Sequence, residues 1–349
     1  MSTTCNSQQI LITGGAGYIG SHVAKQLLEQ TDANITIIDN LSTGTKERID
    51  ALKAIANDPN RVDFIEADLE NFDMIEGVFK AKNFEAVIHF AASIVVPESV
   101  ENPLKYYMNN TVNTTNVIRL ANKYGVGKMI FSSTAAVYGE PEEVPVQETT
   151  VTKPINPYGM SKLMSETVIQ DAAFANENFK YVILRYFNVA GADMNGATKL
   201  EEINPRIGQS FPNATHLIKI AAETALGKRD KMYIFGDDFD TPDGTGIRDY
   251  IHVDDLADAH IEALNYLDEN PSDIFNCGYG HGYSVKEVID EMKRVSGVDF
   301  CVETGPRRAG DPAALISDNT KIKSSMAWRP KFDDLALICK SALEWERKI

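Results

Sequence analysis

The chain has 349 residues, 43% of them hydrophobic, which is enough to bury the core of one large domain or of two closely packed domains. Its formal net charge of -16 at pH 7 argues against binding to nucleic acid or to an anionic membrane surface, because both would repel the chain at long range. A polar beginning, no apolar run long enough to cross a bilayer, and four widely spaced cysteines predict a cytoplasmic protein with reduced thiols, no membrane span and no metal site.

The first half of the chain alternates short β-branched runs with helical patterns. Such alternation is typical of a parallel sheet covered by helices, because each parallel connection has to cross back over a face of the sheet. We therefore predict an α/β fold with a Rossmann-type, doubly wound parallel sheet. The predicted strands are residues 10–13, 35–39, 62–68, 86–92, 128–133 and 181–187.

The character of the sequence changes after Phe187. Residues 191–215 are rich in glycine, proline and polar side chains, which do not sustain long helices or strands. We place a domain boundary here, between residues 1–187 and residues 188–349, and expect part of residues 236–270 to pack back on the first domain. The second domain is predicted to be a smaller mixed α/β domain, with helices near residues 216–226, 256–267, 285–295 and 335–345.

A glycine-rich turn with Gly14, Gly17 and Gly20 joins the first predicted strand to a helix. Glycines allow a tight turn and a close approach of the backbone, and the start of a helix favours an anion such as a pyrophosphate. Asp39, followed by Asn40, ends the second strand about 20 residues further on, where a carboxylate can accept hydrogen bonds from the adenosine ribose. Because this carboxylate would repel a 2′-phosphate, the pattern predicts NAD rather than NADP as the cofactor.

Tyr158 and Lys162 lie four residues apart in a predicted helix and therefore share one helical face. A neighbouring ammonium favours the phenolate, so we expect the pKa of Tyr158 to move toward neutrality, where the phenol can take and return a proton. Thr134 ends the run Phe131-Ser132-Ser133-Thr134 of the fifth strand, beside the crevice where a nicotinamide is expected. Tyr158, Lys162 and Thr134 are therefore candidate catalytic residues, whereas His89 and His252 lie in apolar strand patterns and are expected in the core.

Six segments of the chain resemble one family, the UDP-glucose 4-epimerases of the extended short-chain dehydrogenase/reductase kind. The segments are TGGAGYIGSH, FSSTAAVYG, YGMSK, LRYFNVAGA, DGTGIRDYIHVDDLADAH and RRAGDP, in this order along nearly the whole chain. The resemblance implies that Tyr158 is the acid/base and that Lys162 holds the nicotinamide ribose and lowers the pKa of the phenol. Thr134, with Ser132 nearby, would bond near the 4-hydroxyl group of the sugar.

The resemblance also implies two sets of binding residues. The cofactor-contacting positions are Gly14, Gly17, Tyr18, Ile19, Gly20, Asp39, Asn40, Asp68, Leu69, Phe90, Asn109, Tyr158 and Lys162. The positions that line a UDP-sugar are Thr134, Tyr158, Asn188, His216, Leu217, Tyr233, Phe235, Arg248, Arg308 and Leu315. Arg248 and Arg308 would meet the diphosphate, a task that suits guanidinium groups because they are planar, bidentate donors and stay charged.

The reaction implied by the resemblance interconverts UDP-glucose and UDP-galactose through a transient 4-keto sugar and bound NADH. Residues 1–187 would then be the NAD-binding domain and residues 188–349 the UDP-sugar-binding domain, in a protein that forms a homodimer. Some family members carry a bulky tyrosine after the RRAGDP segment, whereas this chain has the smaller Leu315. This difference predicts that N-acetylated UDP-hexoses are accepted as well.

Three other functions compete with this interpretation. A nucleotide-sugar 4,6-dehydratase needs an acidic pair after the strand-end threonine to protonate the leaving hydroxyl, and Ala135 and Ala136 stand there instead. A UDP-glucuronate 4-epimerase or decarboxylase begins with the same oxidation and stays open. A non-catalytic NAD-binding sensor or scaffold also stays open, because the fold alone does not fix the function.

Overall fold

Residues 7–211, 215–308 and 311–349 are described by the structure, a computed structural model. In its first half, strands and helices alternate in the order that the sequence predicts. The elements are β1 Gln9–Thr13, α1 Tyr18–Gln30, β2 Asn34–Asp39, α2 Lys46–Ile55, β3 Val62–Glu66, α3 Phe72–Ala81, β4 Ala86–His89, α4 Val96–Glu101, α5 Pro103–Tyr106, α6 Asn113–Lys123, β5 Lys128–Thr134, α7 Pro157–Ala175 and β6 Lys180–Tyr186. A π-helical turn, Tyr107–Val112, joins α5 to α6.

The second half contains shorter strands between four longer helices and one short one. Its elements are β7 Asn188–Ala190, α8 Leu217–Ala225, β8 Met232–Phe235, β9 Ile247–Arg248, β10 Tyr250–His252, α9 Val253–Glu269, β11 Asp273–Cys277, β12 Tyr283–Ser284, α10 Val285–Ser296, β13 Val302–Gly305, β14 Ala314–Leu315, α11 Thr320–Ser325 and α12 Leu335–Glu346. All four helices predicted in this half are present. Among the described residues, no helix has the length and apolar character needed to cross a membrane.

The central sheet has seven strands in the order β11-β6-β5-β4-β1-β2-β3. Strands β5, β4, β1, β2 and β3 pair in parallel, and the strand order reverses between β1 and β4. Such a reversal opens a crevice at the carboxyl ends of the strands, where doubly wound proteins bind nucleotides. The predicted Rossmann-type α/β fold is therefore confirmed.

Apolar side chains of β1, β2 and β4 form the centre of the core. Ile12, Ile37 and Val87 are fully buried, because helices cover the sheet and leave no face to solvent. His89 and His252 are also buried, as predicted for both histidines. Burial lowers the pKa of His89 to about 3, so this imidazole stays neutral at physiological pH.

The described chain divides into two compact units, each built from three segments. The first contains the segment that ends at Ser133 together with Ser161–Ile183 and His260–Asp273; the second contains Thr134–Met160, Leu184–Ala259 and Ile274–Ile349. The chain thus changes unit inside β5, α7, β6, α9 and β11 rather than in loops. The functional division predicted between residues 1–187 and 188–349 stays a prediction.

Candidate functional site

In the first unit, the glycine-rich turn packs closely against the neighbouring backbone. Gly14 has a φ of +73°, and a Cβ atom there would lie 2.6 Å from the backbone nitrogen of Ala91. A Cβ atom at Gly20 would overlap the carbonyl oxygen of Gly14. Gly17 is the N-cap residue of α1 and offers no side chain to the first turn of the helix. Backbone amides at this helix start can therefore be approached closely by an anion.

Asp39 lies at the end of β2 with its carboxylate turned toward the glycine-rich turn. Its Oδ2 accepts a hydrogen bond from the backbone N–H of Ala16 (3.0 Å), and its Oδ1 accepts one from Leu41 (2.8 Å). Burial raises the pKa of Asp39, and these hydrogen bonds and the Arg48 charge oppose that rise. Arg48 is itself buried and donates to the carbonyl of Ala16 at 2.9 Å. The guanidinium of Arg48 is thus hydrogen-bonded to the backbone of the glycine-rich turn. The carboxylate of Asp39 would repel a 2′-phosphate, so the arrangement fits NAD.

The other predicted cofactor positions lie along the same ends of the strands. Asn40 donates to the Oδ2 of Asp68 at 2.7 Å, which connects the residues that follow β2 and β3. The ring of Phe90, just after β4, packs against the ring of His260 with centroids 5.0 Å apart. Tyr18 and Ile19 begin α1, and Leu69 is buried. The structure thus brings these positions to the carboxyl ends of β1 to β4, and their contacts with a cofactor stay predictions.

Asn109 lies in the π-helical turn, a feature that often marks functional positions. Its amide donates to the Ser93 hydroxyl at 3.0 Å. The neighbouring Asn110 is buried and donates to the Ser93 carbonyl (3.0 Å) and the Ser161 hydroxyl (2.9 Å). No sequence pattern singled out Asn110, although it connects the turn to the residue that precedes Lys162.

Lys162 is a buried cation of the first unit, only 3% exposed. Its Nζ donates to the carbonyl oxygen of Ser132 at 2.7 Å and lies 4.9 Å from the centre of the Phe131 ring. Burial lowers the pKa of Lys162 to about 7, while the charge of Glu166 opposes this shift. The structure therefore joins Ser132 and Lys162, two of the four predicted catalytic residues, through the backbone of β5.

The buried ammonium predicts a pH dependence of stability. Between pH of about 7 and 10.5 the unfolded chain binds a proton at Lys162 that the folded chain has lost, so stability should rise with pH in this window. Chemical denaturation of the cofactor-free protein and of Lys162→Met should give curves that converge as the pH rises, because only the wild type has this dependence. Two curves that stay parallel from pH 7 to pH 10 would contradict a lowered pKa.

In the second unit, the hydroxyl groups of Thr134 and Tyr158 form a hydrogen bond. Thr134 ends β5, and its Oγ1 also accepts the N–H of Ala136 at 3.1 Å. Tyr158 is the second residue of α7 and precedes Lys162 by four residues on the same helical face. Burial raises the pKa of Tyr158, and the Thr134 hydrogen bond opposes this rise. The sequence analysis predicted a lowered pKa for Tyr158, and this prediction is wrong. The loss of water around the phenol outweighs the interactions that favour the phenolate.

Three of the predicted UDP-sugar residues, Asn188, His216 and Leu217, line one cavity in the second unit. Asn188 lies in β7, which pairs in parallel with β10, and His216 is the N-cap residue of α8. Nδ1 of His216 lies 2.9 Å from the amide nitrogen of Gln209. Lys219 and Glu346 also line this cavity. The structure thus brings these three predicted residues together, and their contact with a ligand stays a prediction.

The remaining predicted UDP-sugar residues form two groups in the same unit. Tyr233 and Phe235 are exposed on one face of β8, and the guanidinium of Arg308 stacks 3.9 Å from the centre of the Phe235 ring. Arg248 in β9 is directly in register with Leu315 in β14. Nη2 of Arg248 lies 3.7 Å from a carboxylate oxygen of Asp311. Arg308 thus lies against the ring of Phe235, and Arg248 lies beside Leu315. The role of both arginines in binding a UDP-sugar stays a prediction.

Comparisons with known proteins identify the family of the chain. Residues 10–278 match the NAD dependent epimerase/dehydratase family. A protein named UDP-glucose 4-epimerase from Azospirillum brasilense is 48% identical, over 99% of this chain and 94% of that protein. The solved UDP-Glc/GlcNAc 4-epimerase of Campylobacter jejuni is 58% identical, over 98% of this chain and 100% of that chain, with a TM-score of 0.84. The UDP-glucose 4-epimerase of Bifidobacterium longum, solved in complex with NAD+ and UDP, is 35% identical over 98% of each chain, with a TM-score of 0.90. With these matches along nearly its whole length, the chain belongs to the NAD dependent epimerase/dehydratase family.

Proposed function

We propose that this protein is an NAD-dependent UDP-hexose 4-epimerase that interconverts UDP-glucose and UDP-galactose through a 4-keto sugar. The observation that carries the proposal is the Thr134–Tyr158 hydroxyl pair, with Lys162 one turn further along α7. The relatives named UDP-glucose 4-epimerase support it, as does the relative solved with NAD+ and UDP. The glycine-rich turn and Asp39 fit NAD by shape and charge.

The chemistry begins at the phenol of Tyr158. Its ionised form takes the proton of the sugar 4-hydroxyl as the hydrogen on carbon 4 leaves with its electron pair, and Thr134 holds the same oxygen. When bound, NAD supplies the acceptor and later the donor of that hydrogen, so no external reductant is consumed. Burial disfavours the phenolate of Tyr158, and the hydrogen bond from Thr134 opposes this cost. Tyr158 returns its proton after the 4-keto sugar has presented its opposite face.

Inversion requires a firm hold on the nucleotide and a loose hold on the hexose. Arg248 and Arg308 are suited to the diphosphate because a guanidinium binds phosphate oxygens in a planar, bidentate way. Leu315 offers the hexose only an apolar contact, so the hexose remains able to rotate. Binding energy from the diphosphate therefore retains the intermediate while the ring rotates.

The decisive experiment mixes the purified protein with UDP-galactose, without added NAD, and follows the formation of UDP-glucose. We expect conversion that needs no external reductant. Absence of product would favour a sensor or scaffold. Parallel assays with UDP-galacturonate and UDP-glucuronate test the related uronate epimerase and decarboxylase, because these would release UDP-glucuronate or carbon dioxide instead.

The same site accepts N-acetylated UDP-hexoses. Leu315 is in register with Arg248, so its side chain stands beside a residue assigned to the diphosphate. An isobutyl side chain leaves more room at this position than a phenol. The relative from Campylobacter jejuni, described as a UDP-Glc/GlcNAc 4-epimerase, supports this wider specificity.

Leu315→Tyr should separate the two substrates. The larger ring should abolish turnover of UDP-N-acetylgalactosamine, because it would occupy the space that the acetamido group needs. Turnover of UDP-galactose, which lacks this group, should stay within about threefold of the wild type. Steady-state kinetics with both substrates checks this. Unchanged turnover of the acetylated sugar would reject Leu315 as the determinant of specificity.

We also propose a homodimer, which is supported by an apolar stripe on the first unit. The stripe runs along α4, α5 and the π-helical turn at every fourth residue, and all its members are exposed: Val96, Val100, Leu104, Met108 and Val112. Thr111 donates to the Ser161 carbonyl at 3.1 Å, which sets the π-helical turn beside α7, where Met164 and Phe174 are exposed as well. Two neighbouring helices with exposed apolar faces fit a second copy of the same face, because such an isologous contact buries both at once.

The double substitution Val100→Glu, Leu104→Glu should convert the dimer to a monomer. These side chains are 63% and 73% exposed, so the folded monomer tolerates the charges, whereas an apolar interface does not. Light scattering coupled to size exclusion measures the mass. Val298→Glu, at a valine 42% exposed in the second unit, is the control that should stay dimeric. A wild type that elutes as a monomer at all concentrations would overturn the assignment.

A cytoplasmic location is also part of the proposal. Cys277, Cys301 and Cys339 are free thiols in the structure, and Cys5 lies outside the described residues. Free thiols are typical of a reducing compartment. Among the described residues, no group of His, Cys, Asp and Glu side chains could hold a metal ion.

A further inference from the structure

Asp249 follows Arg248 directly and is fully buried in the second unit. Its backbone joins two of the neighbouring segments that carry proposed UDP-sugar residues. The carbonyl of Asp249 accepts the N–H of Asn188 at 2.8 Å, and its own N–H donates to the carbonyl of Leu315 at 3.2 Å. The backbone of Asp249 is therefore hydrogen-bonded to Asn188 and Leu315, and Asp249 follows Arg248 in the chain.

The carboxylate of Asp249 extends this connection to two further loops. Its Oδ1 accepts the N–H of Tyr279 at 2.8 Å. Its Oδ2 accepts the N–H of Gly280 (3.0 Å), the N–H of Ser317 (3.2 Å) and the hydroxyl of Ser317 (2.6 Å). Four donors thus converge on one buried charge, which a buried carboxylate requires because it has lost its water.

The surrounding chain leaves room for this carboxylate. A Cβ atom at Gly278 would lie 2.5 Å from Oδ2 of Asp249 and 2.6 Å from the hydroxyl of Ser317. Strands β9 and β14 have only two residues each, so their own ladder hydrogen bonds provide little to fix their register. The bonds of Asp249 to Leu315 and to Ser317, two residues later, provide the additional constraint.

We propose that Asp249 is a positioning residue that holds Arg248, Asn188 and Leu315 in the arrangement that binds the nucleotide-sugar. This inference rests on the proposed function. Asp249 acts through the backbone of the three residues and does not itself meet the substrate. The effect of its removal should therefore appear in substrate binding more than in proton transfer.

Asp249→Asn keeps the shape of the side chain and replaces one acceptor oxygen by an amide that donates. At least one of the backbone N–H groups at Tyr279, Gly280 and Ser317 then loses its acceptor. With the NAD-loaded enzyme, we expect the Kd of UDP by calorimetry and the KM of UDP-galactose to rise about tenfold, with kcat within about threefold of the wild type.

Asp255→Asn is the matched control. Asp255 is also buried in this unit and accepts the hydroxyl of Tyr279 (2.6 Å) and the N–H groups of Lys331 and Phe332 (both 2.8 Å), but none of the proposed UDP-sugar residues. A loss of Tm is expected in both variants, and a weaker affinity for UDP only in Asp249→Asn. Equal Kd values for UDP in the two variants would overturn the inference.

Ser317→Ala keeps the inference testable if Asp249→Asn fails to fold. This variant removes only the hydroxyl that donates to Oδ2, and we expect a rise of about threefold in the Kd of UDP. An unchanged Kd in this folded variant would reject the positioning role. A wild type that does not bind UDP would reject the proposed function itself, an outcome that is distinct from the failure of either variant.

Discussion

Tyr158→Phe is expected to lower kcat about 1,000-fold, because the variant lacks the group that moves the proton of the 4-hydroxyl. The phenyl ring keeps the packing at the start of α7, and only the hydroxyl that bonds Thr134 is lost. The Kd of UDP and the amount of bound NAD should stay within about twofold of the wild type, because neither depends on proton transfer. Steady-state kinetics and calorimetry on the same preparation separate these quantities.

Tyr124→Phe is the control for loss of a phenol. The hydroxyl of Tyr124 bonds Glu76 between α3 and α6, so its removal should leave kcat unchanged. If Tyr158→Phe retained more than about a tenth of the wild-type kcat, the proton would have to pass through another group. Thr134 would then be the first alternative, because it is the hydroxyl that bonds Tyr158.

Gly14→Ala is expected to abolish retention of NAD and, with it, activity. Two effects add at this position. The backbone has a φ of +73°, which costs a residue with a Cβ about 1–2 kcal/mol. The added Cβ atom would also lie 2.6 Å from the backbone nitrogen of Ala91, so the turn and the chain after β4 must move apart. The amount of NAD per chain in the purified protein, measured after acid release, checks this result.

Gly77→Ala is the matched control for the glycine substitution. Gly77 lies inside α3, and a Cβ atom there would meet nothing within 4 Å. Alanine in a helix interior should be neutral or stabilising, by up to about 1 kcal/mol, with the NAD content unchanged. Equal NAD content in Gly14→Ala and Gly77→Ala would show that the glycine-rich turn does not hold the cofactor.

The two-residue strands of the second half could not be predicted from the sequence, whereas short apolar runs at residues 233–235 and 249–253 do coincide with β8 and β10. A strand of two residues, such as β9 or β14, has too few residues to show an alternating pattern. These strands exist because residues distant in the chain pair, as Arg248 does with Leu315. The long helices α9, α10 and α12 were predictable, since each repeats its apolar side chains over several turns.

The pKa shifts of Tyr158 and Lys162 could not be predicted from the sequence, because they depend on the fold. The spacing of Tyr158 and Lys162 predicts that they share a helical face, and it predicts a lowered pKa for the phenol. The structure instead shows that burial raises the pKa of Tyr158 and lowers that of Lys162 to about 7. Loss of water around a side chain is set by every element packed on it, so a local pattern of residues does not contain this term.

Residue patterns alone were enough to predict the alternating α/β fold, the glycine-rich turn with Asp39, and the tyrosine and lysine on one helical turn. Each of these is a local feature, fixed by spacing and by residue type within a few tens of residues. Three other features became visible only in the folded chain: Asn110 joins the π-helical turn to Ser161, Lys162 is buried, and Asp249 joins Asn188 to Leu315. Burial and hydrogen bonds between distant segments arise when the chain packs, because they depend on which segments become neighbours in space.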